Sequence, residues 1–154
     1  MNRGEVLRAV DGLTTRHGRI GQQTAVLFCD IDRFKDINDV HGHAAGDEVL
    51  RALSERVRLS IRADDHAARI GGDELLVVLA GISDLDAATD IAEKIRTAAA
   101  QPIDYPGGVT LATTMSIGVT LARPGETTDA LIERADTAMY RAKQSGRDQV
   151  VTIP

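Results

Sequence analysis

The chain has 154 residues and a formal net charge of −5, with 43% hydrophobic and only 3% aromatic residues. This length predicts one soluble globular domain, and the absence of any apolar run near the ~18 residues of a membrane span argues against a membrane protein. The acidic balance and the scarcity of aromatic side chains argue against a nucleic-acid polymer as partner, because such a partner needs a basic face and stacking surfaces.

The first 23 residues are predicted to form an irregular N-terminal segment, with the domain proper over residues 24–154. Between residues 15 and 23 the sequence contains two glycines and no sustained helical period, so we expect any N-terminal helix to be shortened. Residues 1–5 lack the apolar run and the small-residue cleavage pattern of a signal peptide. A cytoplasmic location is therefore expected.

Beyond residue 23 the apolar pattern alternates between strand-like and helix-like periods. The predicted elements are strands over residues 24–29, 110–121 and 149–153, a β-hairpin over 67–79, a turn region over 101–108, and helices over 33–41, 44–61, 85–100 and between 127 and 146. This order predicts an α+β fold in which a central, mostly antiparallel sheet is flanked by helices. Cys29 in the first strand and Met139 in the last helix are expected to be core residues.

Two acidic turns are the strongest indication of chemistry. Asp30 and Asp32 end the first strand, where alternation places both on one face, and Asp73 and Glu74 follow a Gly-Gly pair at the hairpin tip. The paired glycines are expected to supply positive φ angles and to let phosphate groups approach the backbone. One or both of the first two carboxylates can then share a Mg²⁺ or Mn²⁺ ion with the hairpin carboxylates. Either turn alone is equally compatible with a solvated acidic turn.

The motifs that surround these turns carry a family resemblance over about residues 24–151. They are DIDRFKDIND at residues 30–39, Gly-His at 42–43, Gly-Asp at 46–47, RIGGDEL at 69–75, TMSIGV at 114–119 and ADTAMYRAKQSGRD at 135–148. In order and spacing they resemble the GGDEF domain of diguanylate cyclases, which implies a ferredoxin-like palm related to polymerases and nucleotide cyclases. Leu75 replaces the Phe of the family motif, a nearly volume-conserving change. Residues 11–14, Asp-Gly-Leu-Thr, resemble the opening motif of the family.

The resemblance implies roles for individual residues. Asp30, the Ile31 carbonyl and Asp73 would hold the metal, and Asp73, Glu74 and Lys35 would form the catalytic group. Substrate binding would fall to residues that read guanine, neutralise the triphosphate or lie near the ribose: Phe34, Asn38, His43, Asp47, Lys143 and Arg147. Asn38 and Asp47 would read the guanine edge, so that adenine leaves a carboxylate unpaired.

Arg62 and Asp65 occupy the position of the family's Arg-x-x-Asp inhibitory site for its own product. An arginine fork can grip phosphate and the Hoogsteen edge of guanine, while the carboxylate accepts from the guanine amine. The alternative is an ordinary ion pair in a turn, worth at most about 1 kcal/mol.

The function that the resemblance implies is condensation of two GTP molecules into cyclic di-GMP and pyrophosphate. Each subunit would hold one GTP, so a homodimer would bring each 3′-hydroxyl against the α-phosphate on the other subunit. The alternative is a non-catalytic relative that binds GTP or cyclic di-GMP and signals to a partner. A third class, an adenylyl-cyclase-like or polymerase-like palm for another nucleotide, is disfavoured by the guanine-reading pair.

Overall fold

The computed structural model describes residues 2–20 and 23–154, with the backbone alone over residues 14–20. The helices in these ranges are α1 (Arg3–Ile20), α2 (Phe34–His41), α3 (His43–Ser60), α4 (Leu85–Ala99) and α5 (Thr128–Gln144). The strands are β1 (Gln23–Ile31), β2 (His66–Arg69), β3 (Glu74–Ile82), β4 (Ile103–Tyr105), β5 (Val109–Leu111), β6 (Met115–Leu121) and β7 (Gln149–Thr152). None of the helices in these ranges combines the length and apolarity that a membrane span requires.

Five strands form the central sheet in the order β2-β3-β1-β6-β7. Its pairs are antiparallel except β6 with β7, which confirms the predicted α+β fold with a mostly antiparallel sheet. The predicted strand over 110–121 is wrong in one respect, since it divides into β5 and β6. The predicted turn region contains β4, which pairs with β5 in a separate small sheet. Gly107 and Gly108, with φ of 84° and 73°, make the tight turn between them.

The core has two layers because side chains of β1 alternate between the faces of the sheet. Leu27 and Cys29 belong to the cluster covered by α3 and α4, whereas Val26 and Phe28 belong to the cluster covered by α1 and α5. Cys29 is fully buried and Met139 nearly so, which confirms both as core residues. The strand end at Asp30 continues the α1 and α5 face.

The irregular N-terminal segment and its shortened helix are the clearest errors of the sequence prediction. Helix α1 runs for 18 residues, and the Asp-Gly-Leu-Thr motif at residues 11–14 lies inside it. Val6 and Val10 are fully buried, and Leu13 packs against the same cluster. Gly21 and Gln22, on which part of the prediction rested, lie outside the described residues.

Local capping and burial explain why α1 forms despite its glycines. The Asn2 side chain accepts from the Glu5 N–H at 2.9 Å, and the Glu5 carboxylate accepts from the Asn2 N–H at 2.8 Å. This reciprocal arrangement is a capping box. Spacings of four and three residues between the apolar side chains supply one buried stripe, which outweighs the cost of about 1 kcal/mol for each glycine in a helix.

Gly118 in β6 sets the distance between the sheet and α5. A Cβ atom built at this residue would overlap the Ala135 carbonyl oxygen and the Met139 amide nitrogen, and would lie 2.8 Å from the Ala138 Cβ. A glycine inside a strand often marks such a close backbone approach. It therefore places α5, which carries Lys143, against the strand end at Asp30.

Candidate functional site

Three carboxylates converge where β1 meets the hairpin tip. Asp30 and Glu74 are direct partners in the antiparallel register of β1 and β3, and Asp73 precedes Glu74. One oxygen from each of the three side chains lies within 4.8 Å of the others. Like charges directly opposite each other on a sheet are destabilising. Arrangements that cost stability in this way are concentrated at functional sites.

Burial and mutual repulsion raise the pKa of carboxylates in this acidic cluster. Burial raises the pKa of Asp30 to about 6, although Lys143 acts in the opposite direction with its Nζ atom 2.6 Å from Asp30 Oδ1. Partial burial also raises the pKa of Glu74, and the charges of Asp73 and Asp136 add to the effect. Hard carboxylate oxygens in a negatively charged cluster are the donor set that Mg²⁺ or Mn²⁺ prefers.

A cleft of about 350 Å³ joins the cluster to the predicted substrate residues. Its lining includes six of the predicted site residues, namely Phe34, Lys35, Asn38, His43, Asp47 and Asp73. They come from α2, the N-terminal part of α3 and the hairpin tip. Three larger clefts, of about 360, 470 and 490 Å³, contain only Asp32 and Glu74 of the residues predicted to form the site. The smaller cleft is therefore the candidate nucleotide site.

The glycine pair at the hairpin tip does not supply the expected positive φ angles. Neither Gly71 nor Gly72 is among the described residues with positive φ, so that prediction is wrong. A Cβ atom at Gly71 would lie 2.8 Å from Glu74 Oε1, whereas the corresponding position at Gly72 is open space within 4 Å. The absence of a side chain at Gly71 leaves space for the Glu74 carboxylate. The absence of one at Gly72 leaves open space where this residue lines the cleft.

Hydrogen bonds hold the hairpin tip in place. Arg69 donates from Nε to the Gly71 carbonyl at 2.9 Å and from Nη2 to the Gly72 carbonyl at 2.8 Å. The Ile31 N–H donates to the Asp73 carbonyl at 3.0 Å, which ties the end of β1 to the turn. No separate role for Arg69 was predicted from the sequence, where it is one residue of the RIGGDEL motif. Its position two residues before a Gly-Gly turn is the sequence feature that indicates hydrogen bonding to the carbonyls of the turn.

Asp32 lies outside the acidic cluster, so among the described residues the end of β1 contributes Asp30 alone. The Asp32 side chain accepts from Thr114 Oγ1 at 2.6 Å, Ser116 Oγ at 2.7 Å and the Asp148 N–H at 3.0 Å. Alternation ends with the strand at Ile31, which lets the next carboxylate turn toward β6. Asp32 therefore ties three segments of the chain together.

Lys143 and Arg147, both predicted to bind the substrate, lie in different surroundings. Lys143 contacts Asp30, whereas Arg147 is exposed in the turn after α5, and neither residue lines the 350 Å³ cleft. Arg147 and Asp148 have φ of 66° and 45°, an unusual pair of left-handed residues. The Asp148 carboxylate contacts Arg96 at 2.9 Å, which fixes this turn from the other side.

Arg62 and Asp65 form a hydrogen-bonded turn beside β3. The Asp65 side chain is fully buried and accepts from the Arg62 N–H at 2.8 Å and the Ala80 N–H at 2.9 Å. The Arg62 side chain is 56% exposed, and its guanidinium contacts Asp65 and the Ala80 carbonyl. The carboxylate thus has a structural role in the turn, and the guanidinium retains an accessible face.

The chain matches the family model described as "Diguanylate cyclase, GGDEF domain" over residues 1–149. It is 39% identical over 150 residues to the diguanylate cyclase DgcP of Pseudomonas aeruginosa, covering 97% of this chain and 22% of that protein. It is 45% identical over 127 residues to the diguanylate cyclase TpbB of the same species, covering 82% of this chain and 29% of that protein. The chain thus spans less than a third of the length of these relatives.

Solved structures agree with this match. The crystal structure of the GGDEF domain of TpbB superposes with a TM-score of 0.96 at 38% identity, covering 100% of this chain and 96% of that one. The GGDEF domain of DgcB from Caulobacter crescentus, crystallised in complex with c-di-GMP, superposes with a TM-score of 0.92 at 28% identity, covering 98% and 90%. Because the sequence match and the fold agree over nearly the whole chain, this protein belongs to the GGDEF family of diguanylate cyclase domains.

Proposed function

We propose that this domain is a diguanylate cyclase that condenses two GTP molecules into cyclic di-GMP and two pyrophosphates. The observation that carries the proposal is the cleft in which Asp73 joins the acidic cluster to Asn38 and Asp47. One end of the cleft offers a base-reading pair and the other a site for a divalent cation. The activity named for DgcP and TpbB supports the same chemistry.

Guanine recognition would fall to Asn38 and Asp47. Asp47 is exposed near the start of α3, where its carboxylate can accept from the ring N–H and the amino group of guanine. The half-buried Asn38 amide lines the same cleft and would pair with the base edge. Lys35, exposed on α2, would neutralise phosphate charge, and His43 would lie near the ribose or base.

The acidic cluster fits a divalent cation, with Asp30, Asp73, Glu74 and the Ile31 carbonyl as its ligands. When bound, such a cation supplies Lewis-acid activation of the α-phosphate and helps to generate the attacking 3′-alkoxide. Lys143 adds a positive charge beside the cluster, 2.6 Å from Asp30. Phe34 packs at the cleft wall, and the exposed Arg147 would reach triphosphate oxygens from the turn after α5.

Catalysis would require a homodimer, because one cleft holds one GTP and ring closure joins two. Each 3′-hydroxyl would attack the α-phosphate bound by the other subunit. We also propose that the exposed face of Arg62 binds the product and lowers activity, with Asp65 holding the arginine in place. The c-di-GMP complex of DgcB shows that a relative binds this ligand. The cytoplasmic location remains a prediction, which cell fractionation can check.

The test is to incubate the purified protein with GTP and Mg²⁺ and to identify products by mass spectrometry. The expected result is cyclic di-GMP, with no product when Mg²⁺ is replaced by EDTA. Tight GTP binding without any product would support the alternative of a non-catalytic binding module. Equal binding of ATP and GTP would refute the assignment of the base-reading pair.

A further inference from the structure

Gly46, in the first turn of α3, lies directly against the side chain of Asn38. A Cβ atom built at Gly46 would overlap Asn38 Oδ1 and would lie 2.9 Å from Asn38 Cγ and 3.2 Å from Phe34 Cζ. Gly46 is buried, and it has a negative φ angle. The backbone conformation therefore does not explain why a glycine stands here.

The helix itself also gives no reason for a glycine at this position. Glycine is a poor helix former, and alanine would favour α3. Gly12 in α1 offers a comparison, because a Cβ atom built there meets nothing within 4 Å. What distinguishes Gly46 is the side chain that occupies the space where its own Cβ would be.

The surrounding hydrogen bonds fix the backbone of Asn38, so only its side chain can respond. The Asn38 carbonyl accepts from the Gly42 N–H at 2.9 Å, and the Gly42 carbonyl accepts from the Gly46 N–H at 3.2 Å. These bonds fasten the end of α2 to the start of α3. The Asn38 amide then reaches the cleft through the gap that Gly46 leaves, next to Asp47.

We propose that Gly46 is a specificity-determining residue, which acts by positioning the Asn38 amide beside Asp47. A methyl group at Gly46 displaces the amide and selectively weakens recognition of guanine. This inference rests on the proposed function, in which Asn38 and Asp47 read the base. It adds a residue that contacts no substrate atom and acts through Asn38.

The fold tolerates the substitution because the displaced atoms are the end of a flexible side chain. The half-buried Asn38 amide can rotate toward solvent, and Phe34 Cζ needs to move by only a few tenths of an ångström. Gly46→Ala is therefore expected to leave the melting temperature unchanged or to raise it slightly. A loss of function without a loss of stability separates positioning from a structural role.

The experiment compares Gly46→Ala, Asn38→Ala, the double variant and Gly12→Ala as the matched control. Calorimetry in Mg²⁺ measures GTP and ATP binding, and thermal unfolding measures stability. Gly46→Ala should weaken GTP binding by at least about tenfold, the size of one good polar contact to a base. ATP binding should change by less than about twofold, and the double variant should bind GTP no more weakly than Asn38→Ala.

A structural readout makes the inference independent of activity. The side-chain amide signal of Asn38 in a ¹H–¹⁵N spectrum should move in Gly46→Ala without nucleotide and stay unchanged in Gly12→Ala. If Gly46→Ala lowers the melting temperature, Asn38→Ala should restore it, because it removes the overlapping group. An unrestored loss of stability would overturn the inference.

Other outcomes separate this inference from the proposed function. If the parent prefers GTP but Gly46→Ala binds it equally well, the role of Gly46 is refuted and the proposed function stands. If GTP and ATP binding fall equally, or if the two substitutions add, Gly46 does not act through Asn38. If the parent itself shows no preference for GTP, both proposals fail, and the amide spectrum reports only whether the displacement occurs.

Discussion

Replacement of Gly118 by alanine tests whether the close approach of α5 to the sheet builds the site. The added methyl group would overlap backbone atoms of Ala135 and Met139, which cannot rotate away as a side chain can. Overpacking of a core costs about 1–3 kcal/mol, and contact with backbone places this case at about 3 kcal/mol. For a domain of this size, that lowers the melting temperature by about 6–12 °C.

The assay is thermal and urea unfolding of Gly118→Ala, with Gly12→Ala as the control. Gly12 is exposed in α1 with open space around its Cβ position, so its substitution should be neutral or stabilising by up to about 1 kcal/mol. If α5 retreats in the Gly118 variant, Lys143 withdraws from Asp30 and cyclic di-GMP synthesis falls as well. A melting temperature within about 2 °C of the parent would refute the packing argument.

Four further outcomes are expected. Asp73→Asn should abolish synthesis with little change in the unfolding midpoint, because a half-exposed turn loses a metal ligand and little packing; undiminished turnover would contradict the metal assignment. Asp47→Ala should weaken GTP binding far more than ATP binding, as measured by calorimetry. Arg62→Ala should relieve inhibition by added cyclic di-GMP at a nearly unchanged initial rate, and unaltered inhibition would leave Arg62 as part of a turn only. Burial raises the pKa of Cys29 to about 12, so iodoacetamide should label it only after unfolding, as mass spectrometry can detect.

Most of the fold could be predicted because its elements have clear apolar periods. The alternation through Val26, Leu27 and Phe28 and the stripe of α3 are typical of buried elements. Helix α1 was not predicted because the apolar stripe of its described side chains is short, consisting of Val6, Val10 and Leu13, and because glycines interrupt the sequence nearby. Packing against a sheet, which a local pattern does not show, decides whether such a sequence is helical.

The candidate site was partly predictable. Motif spacing indicated the residues that line the cleft, but the pairing of Lys143 with Asp30 depends on how α5 packs on β6. The same holds for Asp32, whose partners lie more than eighty residues away along the chain. Gly118 carried a usable signal, since a glycine inside an alternating strand indicates a close backbone approach.

The most direct test of the central claim is the rate of cyclic di-GMP formation from GTP and Mg²⁺ as a function of protein concentration. In the proposed homodimer two half-sites meet for each product, so the rate per mole of protein should rise with concentration and level off once dimers predominate. Asp73→Asn should give no product at any concentration. A parent protein that binds GTP but makes no cyclic di-GMP across the whole range would contradict the account.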